Sequence, residues 1–284
     1  MNAVPSARSK RSQQKQAVAR QRADNRDARW AANRFSVPYA LDGPKVLLGV
    51  GWFVVLLGLF LVDARLSALL VVPVVAVAGL QTAFAWSGQE AADRRVAALV
   101  AAAIVLAGLV DGRLLGVAVI AGVVLCLADA AAVGITDPTA LLRFGEIMVR
   151  ASIPVGVAGG SLLLLATDAP EVFVALVLLI SAYEAGDFLV GSGADNAIEG
   201  PLAGLLAVAV VGAGLTLVQP YPLDANSMPI FAALAAVCSP LGQLLASALL
   251  PHGTAWAPAL RRLDSYLVAA PIWWLALPIL DAPR

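Results

Sequence analysis

The stretch VFVALVLLISAYEAGDFLVGSGADNAIEG, residues 172–200, begins with an apolar run and then carries carboxylates at Glu184, Asp187 and Glu199. Its apolar part is long enough to cross a bilayer, because a membrane span needs roughly 17–25 residues. An acid close to the hydrocarbon is costly and usually faces a bundle interior or a water-filled cavity. The stretch therefore predicts a membrane helix whose end carries polar groups.

Comparable apolar runs recur along the rest of the chain. Of its 284 residues, 60% are hydrophobic and 13% are charged, and the mean hydropathy is +0.85. A soluble domain is about 45–50% apolar and about 25% charged. We therefore expect an all-α polytopic integral membrane protein with about nine transmembrane helices. The nine predicted segments are residues 46–62, 66–86, 96–110, 114–135, 153–167, 172–190, 200–218, 228–250 and 266–280.

The beginning of the chain has a different composition. The first 45 residues hold 10 of the 19 lysines and arginines but only three acids, and no apolar core of a signal peptide follows. We predict that residues 1–44 are a basic, disordered cytoplasmic arm and that residues 45–284 are a multi-span membrane domain. With the N-terminus inside and nine spans, the predicted outer loops carry only Arg65 and Arg113, as the positive-inside rule requires. This favours a multi-pass protein of the plasma (inner) membrane.

Residues 137–152 lie between the fourth and fifth predicted segments. Asp137 followed by Pro138 is typical of a helix start. Apolar residues then recur on one face and charged residues on the other, which predicts an interfacial helix lying on the membrane.

The acids at the end of segment 172–190 allow two interpretations. Glu184 and Asp187 are three residues apart, so they share a helix face. Two converging carboxylates would suit Mg²⁺, which prefers oxygen ligands and shares its shell with phosphates. Alternatively, the two acids only mark the solvated end of the span. Glu199 has a structural explanation of its own, because Pro201 and an acid both favour a helix start.

A second polar group lies near the end of the chain, on the same predicted side of the membrane. Ser239, Gln243 and Ser247 recur every four residues and share a helix face, which is also typical of a packing seam. Arg262 and the neighbouring Arg261 could hold a phosphate, or could serve only as topology anchors. Asp264 follows them.

The roles of Asp129 and His252 remain open, whereas two cysteines are assigned to the core. Asp129 lies inside an apolar segment, where it could pair with a polar neighbour or line a cavity. His252, the only histidine, is more typical of a surface loop than of a general base. Cys126 and Cys238 lie in apolar segments without metal-binding spacing, so we expect reduced core residues.

The stretch EAGDFLVGSGADNAIEG resembles the middle motif of the CTP:phosphatidate cytidylyltransferase (CDP-diacylglycerol synthase) family. Glu184 stands at the family's acid, Gly191 at its glycine, and Glu199 with Gly200 at the end of its W-E-G. Four residues match the first part of the family's last motif: Ser239, Gly242, Leu244 and Ser247. Arg262, Asp264 and Ser265 match its last part.

The resemblance implies an Mg²⁺-dependent transfer of CMP from CTP to phosphatidate, or to a similar anionic lipid, in phospholipid biosynthesis. It implies membrane helices in the fold, a possible homodimer and no nucleic-acid partner. Glu184, Asp187 and Asp264 would be catalytic, with Glu184 and Asp264 as metal ligands. The residues that would bind substrate are Arg262, Glu199, Ser239 and Ser247.

The chain also departs from the family pattern. Gln243 stands at an aspartate, Ala246 at a glutamate, and residues 193–197 lack the two lysines of S-P-K-K. These departures motivate an alternative, a catalytically inactive homologue that scaffolds or regulates a lipid-synthesis enzyme. A small transporter is a third hypothesis, suggested by Asp129, although no inverted repeat is evident.

Overall fold

The computed structural model of the chain describes residues 44–280, apart from residues 87–93, 133, 135, 193, 195 and 197. The predicted basic arm, residues 1–44, lies outside the described residues except for Pro44, which begins the first helix. The structure therefore bears on the membrane domain, and the arm stays a prediction.

Every regular element within the described residues is helical, which confirms the all-α fold class. The ten α-helices of this part, α1 to α10, are Pro44–Val62, Ala68–Trp86, Arg94–Gly108, Gly112–Ala132, Pro138–Asp168, Pro170–Gly191, Glu199–Val218, Ser227–Leu249, Pro258–Leu263 and Tyr266–Leu280. A 3₁₀ turn, Ala64–Ser67, links α1 to α2. Each of the nine predicted membrane segments coincides with a helix, and the short α9 is additional.

Six helical stretches of the described residues are long and apolar enough to cross a membrane, judged by length and composition. They are the 3₁₀ turn with α2, and the helices α4, α5, α6, α7 and α8. The other three candidates are shorter: α3 and α10 have 15 residues each, and the apolar part of α1 covers Gly49–Val62. The six stretches suggest a multi-pass membrane protein, while the number of nine spans is not confirmed.

The prediction of a separate interfacial helix over residues 137–152 is wrong. These residues form the first half of α5, a continuous helix of 31 residues. The predicted helix start is confirmed, because the Asp137 carboxylate accepts a hydrogen bond from the backbone N–H of Thr139 (3.3 Å) and Pro138 is the first helical residue. On the apolar face, Phe144 and Met148 are buried against protein, whereas Leu142 is exposed.

Helix α5 is the central element of the first half of the bundle, since it packs against α2, α3, α4 and α10. In the second half, α6 packs along α7, and α8 contacts both α7 and α10. Small residues allow the backbones to approach: a Cβ added to Gly108 of α3 would lie 2.6 Å from the backbone oxygen of Gly160 in α5. Close approach of this kind drives helix association in lipid, where the hydrophobic effect between helices is absent.

Several helix ends meet at one end of the bundle, which we call the site face. It carries the C-terminal ends of α2, α6 and α8 and the segment 250–265. The indole N–H of Trp86 donates to the backbone oxygen of Leu249 (2.7 Å), and the backbone N–H of Ala259 donates to Oε1 of Gln81 (2.9 Å). These bonds hold the segment 250–265 against the end of α2.

The arginines of the described residues are divided unequally between the two ends of the bundle. Only Arg65 and Arg113 belong to helix ends opposite the site face. Those at the site face are Arg94, Arg95, Arg143, Arg150, Arg261 and Arg262. The positive-inside rule assigned the arginine-rich loops to one side of the membrane. The order of the helices places these loops together at the site face.

Replacing Gly108 by alanine should destabilise the bundle, because its Cβ would meet the backbone of Gly160, which cannot move without displacing α5. Overpacking of this kind costs about 1–3 kcal/mol. We expect a lower apparent unfolding temperature, measured on the purified protein in detergent. Gly116→Ala in α4 is the matched control, since a Cβ there meets nothing within 4 Å. Equal unfolding temperatures for the two variants would contradict this packing.

Candidate functional site

Two of the predicted site residues come from the end of α6. The helix continues past both Glu184 and Asp187 as far as Gly191, so their spacing of three places them on one side of it. Asp187 is only 3% exposed although it is a carboxylate near the end of an apolar helix. Such burial requires a specific partner for the group.

Asp264 lies between α9 and α10, and its side chain is buried. Its Oδ1 accepts hydrogen bonds from the backbone N–H (2.8 Å) and the hydroxyl (3.4 Å) of Ser265. Gly242 of α8 makes room for this junction, because a Cβ at Gly242 would collide with the backbone oxygen of Asp264. The glycine is therefore required by a close approach of two backbones.

Glu184, Asp187 and Asp264, which we call the acidic cluster, lie within electrostatic range of one another. The hydroxyl of Ser265, which donates to Asp264, also lies near Glu184. The Glu184 side chain is partly exposed as a whole, yet its Oε1 is shielded from solvent and has no hydrogen-bond partner among the described residues. Negative charges that act on one another in this way favour a nearby donor or cation.

Arg261 ties three parts of the site face together. One terminal nitrogen of its guanidinium donates to the hydroxyl of Ser247 in α8 (3.0 Å), and the other donates to the backbone oxygen of Gly253 (2.8 Å). The guanidinium is also within electrostatic range of Asp264. The hydroxyl of Ser247 therefore holds Arg261 in the structure, and its substrate-binding role stays a prediction.

Arg262 approaches the acidic cluster from a different direction. It lies within electrostatic range of Glu184. One terminal nitrogen of its guanidinium is 3.0 Å from the position that a Cβ on Gly49 would occupy, so α1 borders the arginine. The sequence predicted that Arg262 contacts a phosphate beside the acids of the cluster. Its position next to Glu184 and α1 allows such a contact.

Two residues of the site were missed by the sequence prediction. The hydroxyl of Tyr183 donates to Oε1 of Gln243 (3.3 Å), and Nε2 of Gln243 donates to Oδ2 of Asp187 (3.3 Å). All three side chains are buried. The available signals were weak: Gln243 shares a helix face with two serines, and Tyr183 lies one turn before Asp187.

The structure does not bring every predicted residue to the acidic cluster. Glu199 is exposed and accepts a hydrogen bond from the side chain of Asn196 (2.6 Å) at the start of α7, which supports its structural explanation. The hydroxyl of Ser239 donates to the backbone oxygen of Ala235 (2.7 Å) in its own helix. Neither residue belongs to the acidic cluster, and their substrate-binding roles stay predictions.

Two residues left open by the sequence are also placed elsewhere. His252 is exposed, and its ring nitrogen Nδ1 is 3.2 Å from the hydroxyl of Thr254. Asp129 lies near Cys126 on α4, a helix that packs chiefly on α3 and α5. The acidic cluster is therefore built from α6 and the segment 250–265 alone.

The metal prediction depends on the donor set of the acidic cluster. Among the described residues, no group of three or more histidines, cysteines and carboxylates is arranged to hold a metal ion. Mg²⁺ often needs only one or two carboxylates, because water and substrate phosphates complete its shell. Glu184 and Asp264, with the unpartnered Oε1 of Glu184, fit such a partial site.

The stability of the fold should depend on the protonation of Asp264. Burial raises the pKa of Asp264 to about 6, against the opposing effect of Arg261. An acid with a raised pKa binds its proton more tightly in the folded state, so its contribution is present below about pH 4 and is lost as the pH rises through about 6. We expect the apparent unfolding temperature to fall between these values.

The check is a pH series of unfolding temperatures for the wild-type protein and Asp264→Asn. The amide cannot ionise, so the fall should be smaller in the variant. An identical fall in both proteins would assign the pH dependence to other groups.

Comparisons with known proteins leave the family open. No protein-family model matches the chain, and no curated protein matches its sequence. The resemblance to the cytidylyltransferase family therefore stays a hypothesis, and the function has to be argued from the residues that converge on the site face.

Proposed function

We propose that the chain is a membrane protein related to the phosphatidate cytidylyltransferases, which transfers CMP from CTP to phosphatidate and yields CDP-diacylglycerol. The observation that supports this best is the convergence of Glu184 and Asp187 with Asp264 and Arg262, from two separate motifs, at one end of an apolar helix bundle. In a membrane, this end of the bundle would lie at the water boundary, where lipid headgroups and water-soluble nucleotides meet.

The reaction explains why charged groups are needed there. A phosphate oxygen of phosphatidate attacks the α-phosphorus of CTP, a new P–O bond forms, and pyrophosphate leaves with the electrons of the broken P–O bond. Both reactants are anions, so positive charge must offset their repulsion. Arg262 would contact a phosphate, while Arg261 holds the segment 250–265 in place.

Glu184 and Asp264 would hold Mg²⁺ in the proposed reaction. Bound there, the ion would neutralise charge on the phosphates as they react. Carboxylate oxygens are the ligands it prefers, and the phosphates of the nucleotide would supply the others.

We also propose that the protein lies in the plasma (inner) membrane with nine spans, a cytoplasmic N-terminus and a cytoplasmic site face. The division of the arginines between the two ends of the bundle supports this orientation. CTP would then reach the site face from the cytoplasm, and phosphatidate from the adjacent leaflet.

One observation favours a second candidate, a catalytically inactive homologue that scaffolds or regulates a lipid-synthesis enzyme. Gln243 supplies an uncharged amide where the resembled family has an aspartate, and this amide is bonded to both Tyr183 and Asp187. The loss of a carboxylate lowers the negative charge available for a cation. The two candidates differ in whether the bound substrates react.

We expect the purified protein to form CDP-diacylglycerol from CTP, phosphatidate and Mg²⁺, and Glu184→Gln to slow this reaction. The expected loss is roughly 10²–10³-fold, the effect of removing one electrostatic group from a reacting centre. The product is measured by the incorporation of labelled CTP into lipid.

Glu171→Gln is the matched control, because Glu171 is an exposed residue in the first turn of the same helix, at the opposite end of the bundle. It should retain the wild-type rate. Folded protein that binds both substrates without turnover would support the second candidate, and folded protein that binds neither would reject both.

The orientation is tested by labelling single cysteines in whole cells with a reagent that does not cross the membrane. Tyr221→Cys lies opposite the site face and Trp256→Cys lies on it, and the native side chains are 78% and 74% exposed. We expect labelling of residue 221 only. The native cysteines Cys126 and Cys238 are buried and should give little background. Labelling of residue 256 from outside would reverse the proposed orientation.

A further inference from the structure

Gln243 uses both ends of its side-chain amide within the site. Its Oε1 accepts the hydrogen bond from Tyr183, and its Nε2 donates to Asp187. Because the tyrosine hydroxyl is the donor to Oε1, the amide is held with its N–H groups directed at the carboxylate. A carboxylate that accepts such a bond is stabilised without a metal ion.

This arrangement affects the availability of Asp187 to a cation. A divalent ion on Oδ2 of Asp187 would compete with Nε2 of Gln243 for the same oxygen, and the partial positive charge of the amide N–H groups would repel it. Glu184 differs, because its Oε1 is shielded from solvent and has no hydrogen-bond partner among the described residues. The carboxylates of the acidic cluster are therefore not equivalent.

We propose that Gln243 is a positioning residue that withholds Asp187 from metal coordination and so sets the metal requirement of the site. A divalent ion is then held through Glu184 and Asp264 only, and it binds well only when the phosphates of a nucleotide accompany it. Asp187, which the sequence predicted as catalytic, serves as the acceptor that orders Gln243 and Tyr183. The inference rests on the proposed function for the identity of the nucleotide, whereas its test uses neither nucleotide nor lipid.

The test measures the binding of Mn²⁺, as a spectroscopic substitute for Mg²⁺, to the full-length protein in detergent without nucleotide. Electron paramagnetic resonance reports the free ion. We expect weak binding to the wild-type protein. Gln243→Glu replaces the donor by a carboxylate of the same size and should tighten binding about 10-fold or more, within the 10–100-fold range typical of groups that orient metal ligands.

Two further variants make the experiment specific. Asp187→Asn in the wild-type background should weaken Mn²⁺ binding by much less than 10-fold, because a nearby negative charge is removed but no metal ligand is lost and its Oδ1 still accepts from Gln243. The same substitution in the Gln243→Glu protein should remove the gain. Gln219→Glu is the matched control for added charge, since Gln219 is exposed in the loop opposite the site face, and it should bind Mn²⁺ as the wild type does.

The proposal is overturned if Gln243→Glu binds Mn²⁺ no more tightly than the wild type, or if Asp187→Asn weakens wild-type binding 10-fold. The result for Asp187→Asn tests the proposal even if Gln243→Glu does not fold, because Asp187→Asn preserves the hydrogen bond from Gln243. A failure of the proposed function appears separately, as absence of CDP-diacylglycerol in the activity assay with unchanged Mn²⁺ binding.

Discussion

A carboxylate that is removed from water must receive a hydrogen-bond donor, a cation or a proton, and the site face is organised by this requirement. Two acids of the cluster face residues from another part of the fold, whereas Asp264 accepts from its neighbour Ser265. Asp187 on α6 accepts from Gln243 on α8, and Glu184 on α6 lies near Ser265 next to α10. The acids therefore join helices that are distant in sequence, so the site and the fold of the second half depend on the same bonds.

These bonds can form only because the helices approach closely. Gly242 admits the backbone of Asp264 to the surface of α8, and Gly204 of α7 lies against the ring of Tyr183, where a Cβ would be 2.7 Å from the ring. A larger residue at Gly242 would push Asp264 away from α8, and a larger residue at Gly204 would push Tyr183 away from α7. The polar groups of the site thus depend on small apolar positions that carry no chemistry themselves.

The sequence was sufficient for those features that follow from local composition. Apolar runs located the helices to which the nine predicted segments belong, and Asp137 with Pro138 located the start of α5. The continuity of α5 could not be predicted, because Pro154 interrupts the pattern, although a membrane helix tolerates proline where neighbouring helices satisfy the freed backbone groups.

Within the site, the charged residues were recognisable because charge is rare in apolar segments. Their neutral partners were not, since a buried glutamine with serines one turn away on either side looks the same as a packing seam. Only the distance from Gln243 to Asp187 distinguishes the two. Glu199 is a different case, because its position in a motif suggested a ligand while its side chain accepts a hydrogen bond from Asn196 in its own turn.

The length of α5 has a mechanical consequence. Its 31 residues correspond to about 46 Å, whereas the hydrocarbon core of a bilayer is about 30 Å thick. The helix must therefore tilt or project from the bilayer. In its first half, the Arg150 guanidinium lies 4.9 Å from the ring centre of Trp86. Trp86 in turn is bonded to Leu249, which adjoins the segment 250–265. One tryptophan thus bridges this long helix and the segment that carries Asp264.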